Sequence, residues 1–464
     1  MNKNTRSNVS RRQFLGQASC AAVGSTSLFS TLLNLAMTGR AAAAIPSSEY
    51  KALVCLFLAG GNDSFNMLAP LETDEYQAYK DLRGNLALDG STPELTPLPI
   101  SDTGGRAFGI HPSMPGIRDL YNSGDLAFVA NTGTLITPTT LQMVNDQTNL
   151  PLGLYSHKDQ IQHWQTALPQ YRSGKGWGGR TADLLHTLND SQQVSMNVSL
   201  SGSNFYQSGN TIVPYAITSN GSVQLDGYGG TSPQDIARTA AIDSMVDLEY
   251  ANLFEKTYIN KTKAAKDSAE FFQSSTDAIS LSTIFPETSL GDDLKMVAKT
   301  IAAHSALGAR RQTFFVQVGG WDHHADLMTK QPAMLAMVSE AVKAFRDALV
   351  EISMLQRVTL FQASDFGRTL TSNTKGTDHA WGGNYFVMGG DVHGGEVYGT
   401  YPNLADLSAI DTGRGRLIPA TSVDEYSAEM ARWFGVTGSD IDTVFPNIGN
   451  FPNGTNARPI GFLA

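Results

Sequence analysis

The chain has 464 residues, 41% of them apolar, with 44 glycines and a formal net charge of −10. That length and composition allow one large domain or two moderate ones around a sizeable core, with many tight turns. The acidic balance, with no basic run, argues against a general nucleic-acid or anionic-membrane binder.

At the N-terminus, Ser10-Arg11-Arg12-Gln13-Phe14-Leu15 precedes an uncharged stretch, Leu15 to Thr38, followed by Ala41-Ala42-Ala43-Ala44. A paired arginine, a mild apolar run and small residues at a cleavage site, in that order, form a twin-arginine export signal. The expectation is a leader over residues 1–44, carried by the twin-arginine translocase, and a periplasmic or extracellular mature domain over 45–464. A permanent membrane anchor is the alternative, and Gly16, Gly24 and Asn34 weaken the run too much for it. Gln17, where an apolar residue is needed, disfavours lipid attachment at Cys20. Cys20 leaves with the leader, so Cys55 is the mature chain's lone cysteine and no internal disulfide forms. Its apolar surroundings make it a small hydrophobe rather than a nucleophile.

Short, nearly continuous apolar runs predict buried strands at 52–58, 126–130, 313–318, 358–363 and 385–388. Leu335, Val338, Val342, Phe345, Leu349 and Ile352 recur at three- and four-residue steps, which predicts a helix with Pro332 near its start. Strand, helix, strand is a βαβ unit, so the fold class is α/β with a central, largely parallel sheet flanked by helices. Residues 200–290 differ: turn-rich sequence from Ser201 to Gly230 leads into a helical stretch, Pro233 to Phe272, breaking near Asn260. This reads as an inserted cap region.

Four polar clusters adjoin the strands, where α/β proteins place their sites. They are Gly60-Gly61-Asn62-Asp63, Gly320-Trp321-Asp322-His323-His324, Ser364-Asp365-Phe366-Gly367-Arg368 and Gly376-Thr377-Asp378-His379. One acid at a strand end is commonly a cap or turn former. Acids and histidines recurring at ends that a parallel sheet gathers on one edge point instead to a metal. Mixed carboxylate and imidazole donors suit zinc, manganese or iron better than an all-oxygen calcium site, with zinc or manganese expected first and calcium the alternative.

These motifs, GGND, GWDHH, SDFGR and GTDHAWGG, resemble the alkaline phosphatase and sulfatase superfamily, and within it an exported branch of unknown function. The resemblance covers Lys51 to Tyr401 and is strongest from Thr313 to Gly399. It implies a doubly wound α/β fold with one or two divalent metals at the carboxyl ends of the strands. By position, Asp322, His324 and His379 would ligate one metal, with His323 able to replace His324. Asp63 and Asp365 would hold a second, flanked by Asn62, although Phe366 stands where the family has a ligand histidine.

The family nucleophile sits at a helix start, a place that Ser156 occupies here; the alternative is an ordinary helix cap, and Thr132 and Ser64 are weaker candidates. His157 is a ligand or a hydrogen-bond donor to substrate. Arg368 and Arg180 are candidates to fork onto a tetrahedral anion, or else to pair with neighbouring carboxylates. No Cys or Ser is followed by x-Pro-x-Arg, since Ser113 to Arg118 is one residue too long, which counts against formylglycine sulfatase chemistry. The resemblance therefore implies an exported metal-dependent hydrolase of phosphate esters or related small anionic or envelope-derived esters. A non-catalytic binding protein and an envelope phospho-group transferase are the alternatives.

Overall fold

The computed structural model describes residues 49–223 and 225–464. The export segment expected over 1–44 lies outside them. No described helix is long and apolar enough to cross a membrane.

Among the described residues, thirteen strands form two sheets. They are β1 (Lys51–Leu58), β2 (Leu68–Pro70), β3 (Leu98–Ser101), β4 (Ala107–Ile110), β5 (Leu126–Gly133), β6 (Asn197–Ser199), β7 (Tyr215–Thr218), β8 (Gly221–Ser222), β9 (Arg311–Val318), β10 (Val358–Ser364), β11 (Gly383–Gly389), β12 (Val397–Gly399) and β13 (Thr421–Ser422). The main sheet has ten strands in the order β12-β5-β11-β10-β1-β9-β6-β7-β8, with β13 beside β5; β2, β4 and β3 make a small antiparallel sheet. Only β11 and β8 run against the rest of the main sheet.

Every residue of β5, β10 and β11 is buried, as strands covered on both faces must be. Side chains alternate across β1. Ala52, Val54, Leu56 and Leu58 join one core with Leu335, Val338, Val342, Phe345 and Leu349 of the helix Leu327–Glu351. Leu53, Cys55 and Phe57 join a second core with Tyr426, Met430 and Phe434 of the helix Val423–Phe434. Helices thus cover both faces, and the α/β reading with a largely parallel central sheet holds.

Residues 200–290 do not lie wholly outside the sheet, because β7 and β8 extend its edge. Their helical part breaks earlier than expected, between Pro233–Val246 and Leu253–Asp277. The cause is Asn252, whose side chain accepts from the N–H groups of Phe254 and Glu255 and starts the second helix.

Register then places the polar clusters. Leu58 lies opposite both Ser364 and Val318, so the segments after β1, β10 and β9 emerge together. Because β11 is antiparallel to β10, the residues before it, Thr377 to His379, arrive at that same edge.

Candidate metal centre

Asp322 is the hub of this edge. One of its oxygens, Oδ1, accepts from Arg368 Nη1 at 2.8 Å and lies 3.1 Å from His324 Nε2 and 3.4 Å from His379 Nε2. The other, Oδ2, is 3.4 Å from His157 Nε2. Burial pushes the Asp322 carboxyl up, but the Arg368 hydrogen bond and charge outweigh it and hold the group below its usual range.

Arg368 is itself fully buried and donates also to the Gly60 carbonyl, the Thr377 hydroxyl and the Thr377 carbonyl. Only glycine fits at position 60: its φ is +123°, and a Cβ would stand 2.5 Å from the Asp322 nitrogen.

Each of three imidazoles is oriented through Nδ1. His157 Nδ1 is 2.7 Å from Asp365 Oδ2, His324 Nδ1 is 3.0 Å from Asp378 Oδ1, and His379 Nδ1 is 2.8 Å from the Tyr155 carbonyl. Carbonyl and carboxylate oxygens only accept, so every Nδ1 is the donor. In the neutral rings every Nε2 then carries a lone pair. Yet His324 Nε2 and His379 Nε2 are 2.8 Å apart, beside a carboxylate. Lone pairs gathered this closely repel unless a proton on one ring or a metal cation stands between them.

Zinc bonds of about 2.0–2.1 Å in tetrahedral geometry would separate ligand atoms by about 3.3 Å. The observed separations of 2.8–3.4 Å are near that spacing. Ligand atoms of His157, Asp322 and His379 all lie within 4.8 Å of one another. Hydrogen bonds from a histidine's second nitrogen to carboxylate or carbonyl are the customary outer support of such ligands.

Burial keeps His379 below the usual imidazole range, with the His157 and Arg368 charges adding to it, and so favours the neutral ligand form. At His157 the balance is opposite: the Asp365 hydrogen bond raises it, favouring a proton that a metal would displace. Asp378 is held at about 2: burial works against this, and hydrogen bonds from Asn373, His324 and Arg414 prevail. Tyr155 adopts a left-handed φ of +73°, the conformation that presents its carbonyl to His379. The side chains of Asp322 and His324 are 43% and 44% exposed, so the centre opens to solvent, as a reactive site does and a sealed structural zinc site does not.

The other expected residues are placed differently. Asp365 is buried with Oδ1 on the Gly60 N–H and Oδ2 on His157, so it orients the His157 ring. Asp63 is fully buried, paired with Arg83 at 2.7 Å, and accepts from Thr377 Oγ1 at 3.0 Å. It shares no contact with Asp365, and no described group of converging ligands includes it. Asn62 is held by Ser364 and Gln331.

His323 points inward, both ring nitrogens buried without a protein partner, while its neighbour His324 reaches the cluster. The Phe366 ring packs against His157 and His379, with centroids 4.9 and 4.7 Å away, so the third imidazole comes from the helix His157–Thr166. At the start of that helix Ser156 makes no capping bond, and its hydroxyl lies by Asp159, which Arg172 holds. Arg180 is buried and donates to the carbonyls of Val444, Lys175 and Thr166, away from the cluster. Asp378 stood in the GTDH motif with no role read for it, and only its place beside His379 hinted at one. Arg83, Tyr155 and Arg416 carried no sequence signal.

Clefts of about 470 and 590 Å³ lie elsewhere, one lined by Arg432, Trp433 and Ala464, the other by Tyr50, His304 and Arg357. Neither brings metal-ligating groups together, so the cluster and not the larger concavity is the candidate site.

Among solved structures, Ps i-CgsB in complex with k-i-k-neocarrahexaose aligns with 87% of this chain and 77% of its own, at 11% identity and a TM-score of 0.34. The PsFucS1 sulfatase from Pseudoalteromonas sp. aligns with 87% of this chain and 71% of its own, at 11% identity and a TM-score of 0.29. No curated protein matches the sequence. A family profile described as "Protein of unknown function (DUF1501)" matches residues 50–412, which include every residue of the cluster, and the chain belongs to that family.

Proposed function

We propose that the protein is an exported, metal-dependent hydrolase of phosphate esters or related anionic esters, built around one divalent cation held by His157, Asp322, His324 and His379. The observation that carries this reading is the meeting of three Nδ1-anchored imidazoles at a carboxylate on an open sheet edge. A bound zinc or manganese would supply a Lewis acid that polarises an ester oxygen and acidifies water.

The chain's own residues prepare the place. Arg368 keeps Asp322 ionised and fixed, and Asp365, Asp378 and the Tyr155 carbonyl orient the imidazoles through Nδ1, which leaves each Nε2 near Asp322. The Phe366 ring, behind His157 and His379, keeps water from one side. Attack by water suits this arrangement better than attack by Ser156, whose hydroxyl is engaged near Asp159.

Elemental analysis of the purified mature protein tests the reading, followed by turnover of phosphate, phosphonate and sulfate esters. About one zinc or manganese per chain with hydrolysis supports it; a folded protein that takes up neither metal removes it. Ser156→Ala is expected to keep activity, and the wild type to trap no phosphate at acid quench; a phosphoserine at position 156 of the wild type, with activity lost in Ser156→Ala, would restore the serine route. Export is checked separately: Arg11→Lys with Arg12→Lys should leave precursor in the cytoplasm.

A non-catalytic binding role has one observation in its favour, the full commitment of Arg368 and Arg180 to protein partners. A metal-loaded protein inert toward every ester would favour it.

A further inference from the structure

The two arginines that the sequence offered for an anion are both spent on the protein. The edge nevertheless carries one guanidinium that is anchored without being neutralised. Arg416 donates from Nε to the His379 carbonyl at 3.0 Å, and its guanidinium lies over the Tyr155 ring, 5.3 Å from the centroid. Tyr155 is the residue whose carbonyl orients the His379 ring, so Arg416 touches both partners of that hydrogen bond. The Tyr155 hydroxyl is 3.1 Å from Thr412 Oγ1, and Thr412 in turn donates to the Arg416 carbonyl. The side chain is thereby fixed at Nε and at its face, while Nη1 and Nη2 make no hydrogen bond or ion pair among the described residues.

Its neighbours are not free in this way. Arg414, two residues earlier, pairs with Asp378 at 2.6 Å, and Arg83 pairs with Asp63. A guanidinium with two unpaired amino groups, half-buried and held beside a metal ligand, is a fork pre-set for two oxygens of one anion. Charge agrees. The carboxylates of Asp322, Asp365 and Asp378 are matched by Arg368, Arg414 and Arg416, so a divalent cation leaves the site net positive. Such a site suits a doubly charged phosphate monoester better than a neutral ester.

We infer that Arg416 is the anion-positioning residue of this site: its Nη1 and Nη2 donate to two nonbridging oxygens of a phosphate monoester whose third oxygen faces the metal position. The inference rests on the metal-centre reading above.

The test titrates inorganic phosphate into zinc-loaded wild type, Arg416→Ala and Arg416→Lys by calorimetry, with zinc counted in each protein beforehand. Arg416→Ala should keep its zinc and its melting temperature and lose about ten- to a hundredfold in phosphate affinity. Arg416→Lys should recover only part of that loss, because an ammonium restores charge without the fork. Unchanged phosphate affinity in zinc-loaded Arg416→Ala overturns the inference, as does a zinc-loaded wild type that binds no phosphate. Loss of zinc from Arg416→Ala also overturns it, making Arg416 a support for His379 only. A wild type that takes up no zinc removes the metal reading itself, which the zinc count shows before any phosphate is added.

Discussion

Two Arg–Asp pairs sit at neighbouring strand ends of one sheet and have opposite characters. Arg83–Asp63, after β1, is sealed: neither side chain is exposed, Asp63 Oδ2 also accepts from the Thr377 hydroxyl, its backbone carbonyl accepts from Gln331 and Asn66, and its Oδ1 is buried without a hydrogen bond. Arg368–Asp322, after β9, is half open: the guanidinium is buried, but the carboxylate is 43% exposed and ringed by imidazoles. The Thr377 hydroxyl joins them, accepting from Arg368 Nε and donating to Asp63. A strand-end acid whose second face looks onto imidazole nitrogens and solvent is placed to serve as a ligand, and one whose face is closed is placed to serve as a structural ion. Two variants break the comparison most directly.

The largest effect is expected from Asp322→Ala combined with His379→Ala, which removes the hub carboxylate and one anchored imidazole. Zinc content should fall from about one per chain to none while the chain stays folded, as measured by elemental analysis and circular dichroism. Unchanged stoichiometry would refute the centre. Asp63→Ala should do the reverse. It strands a buried guanidinium, a change that costs about 3–5 kcal/mol of stability in urea unfolding. The fraction that folds should keep its zinc. Zinc loss there without loss of stability would make Asp63 a ligand after all.

The same contrast explains what could be read from sequence. The strand runs at 52–58, 313–318 and 358–363 and the helix around Leu335 to Leu349 announced the sheet and its edge, because buried apolar periodicity is local. Asp322, His324 and His379 could be named as candidates because each adjoins a recognisable strand in a motif with a family resemblance, and the fold brings the three together. His157 was left between two roles, since its helix shows no strand to fix its place; only the fold brings it to Asp365 and Asp322. Asp63 looked like Asp322 in sequence, and the residue that separates them, Arg83, lies on another element twenty positions away with nothing to mark it.

Asp365 sharpens the comparison at a smaller scale, being as buried as Asp63 yet facing the proposed ligand His157. Asp365→Asn retains an acceptor for the Gly60 N–H but weakens the hold on His157 Nδ1. Zinc should still bind at one per chain, with affinity lower by about ten- to a hundredfold in competition against a chelator, the usual cost of losing such support. A loss of stability with unaltered zinc affinity would place Asp365 with Asp63 instead.

The smallest effect separates two adjacent residues. His323 and His324 follow each other in a tight turn, their N–H groups bonding the Trp321 and Asp322 carbonyls, and their rings part ways, one into the interior and one to Asp322 and His379. Burial lowers His323, whose ring is neutral and has no protein hydrogen bond to lose. His323→Leu removes two unpaired polar atoms and keeps an apolar body beside Trp321, so stability should move by no more than about 1 kcal/mol, with zinc affinity unchanged. His324→Ala deletes a donor 2.8 Å from His379 Nε2 and 3.1 Å from Asp322, and should weaken zinc binding with little change in melting temperature. If zinc binding followed His323 and ignored His324, the inward ring would be the ligand, and the open character of the Asp322 pair would lose its meaning.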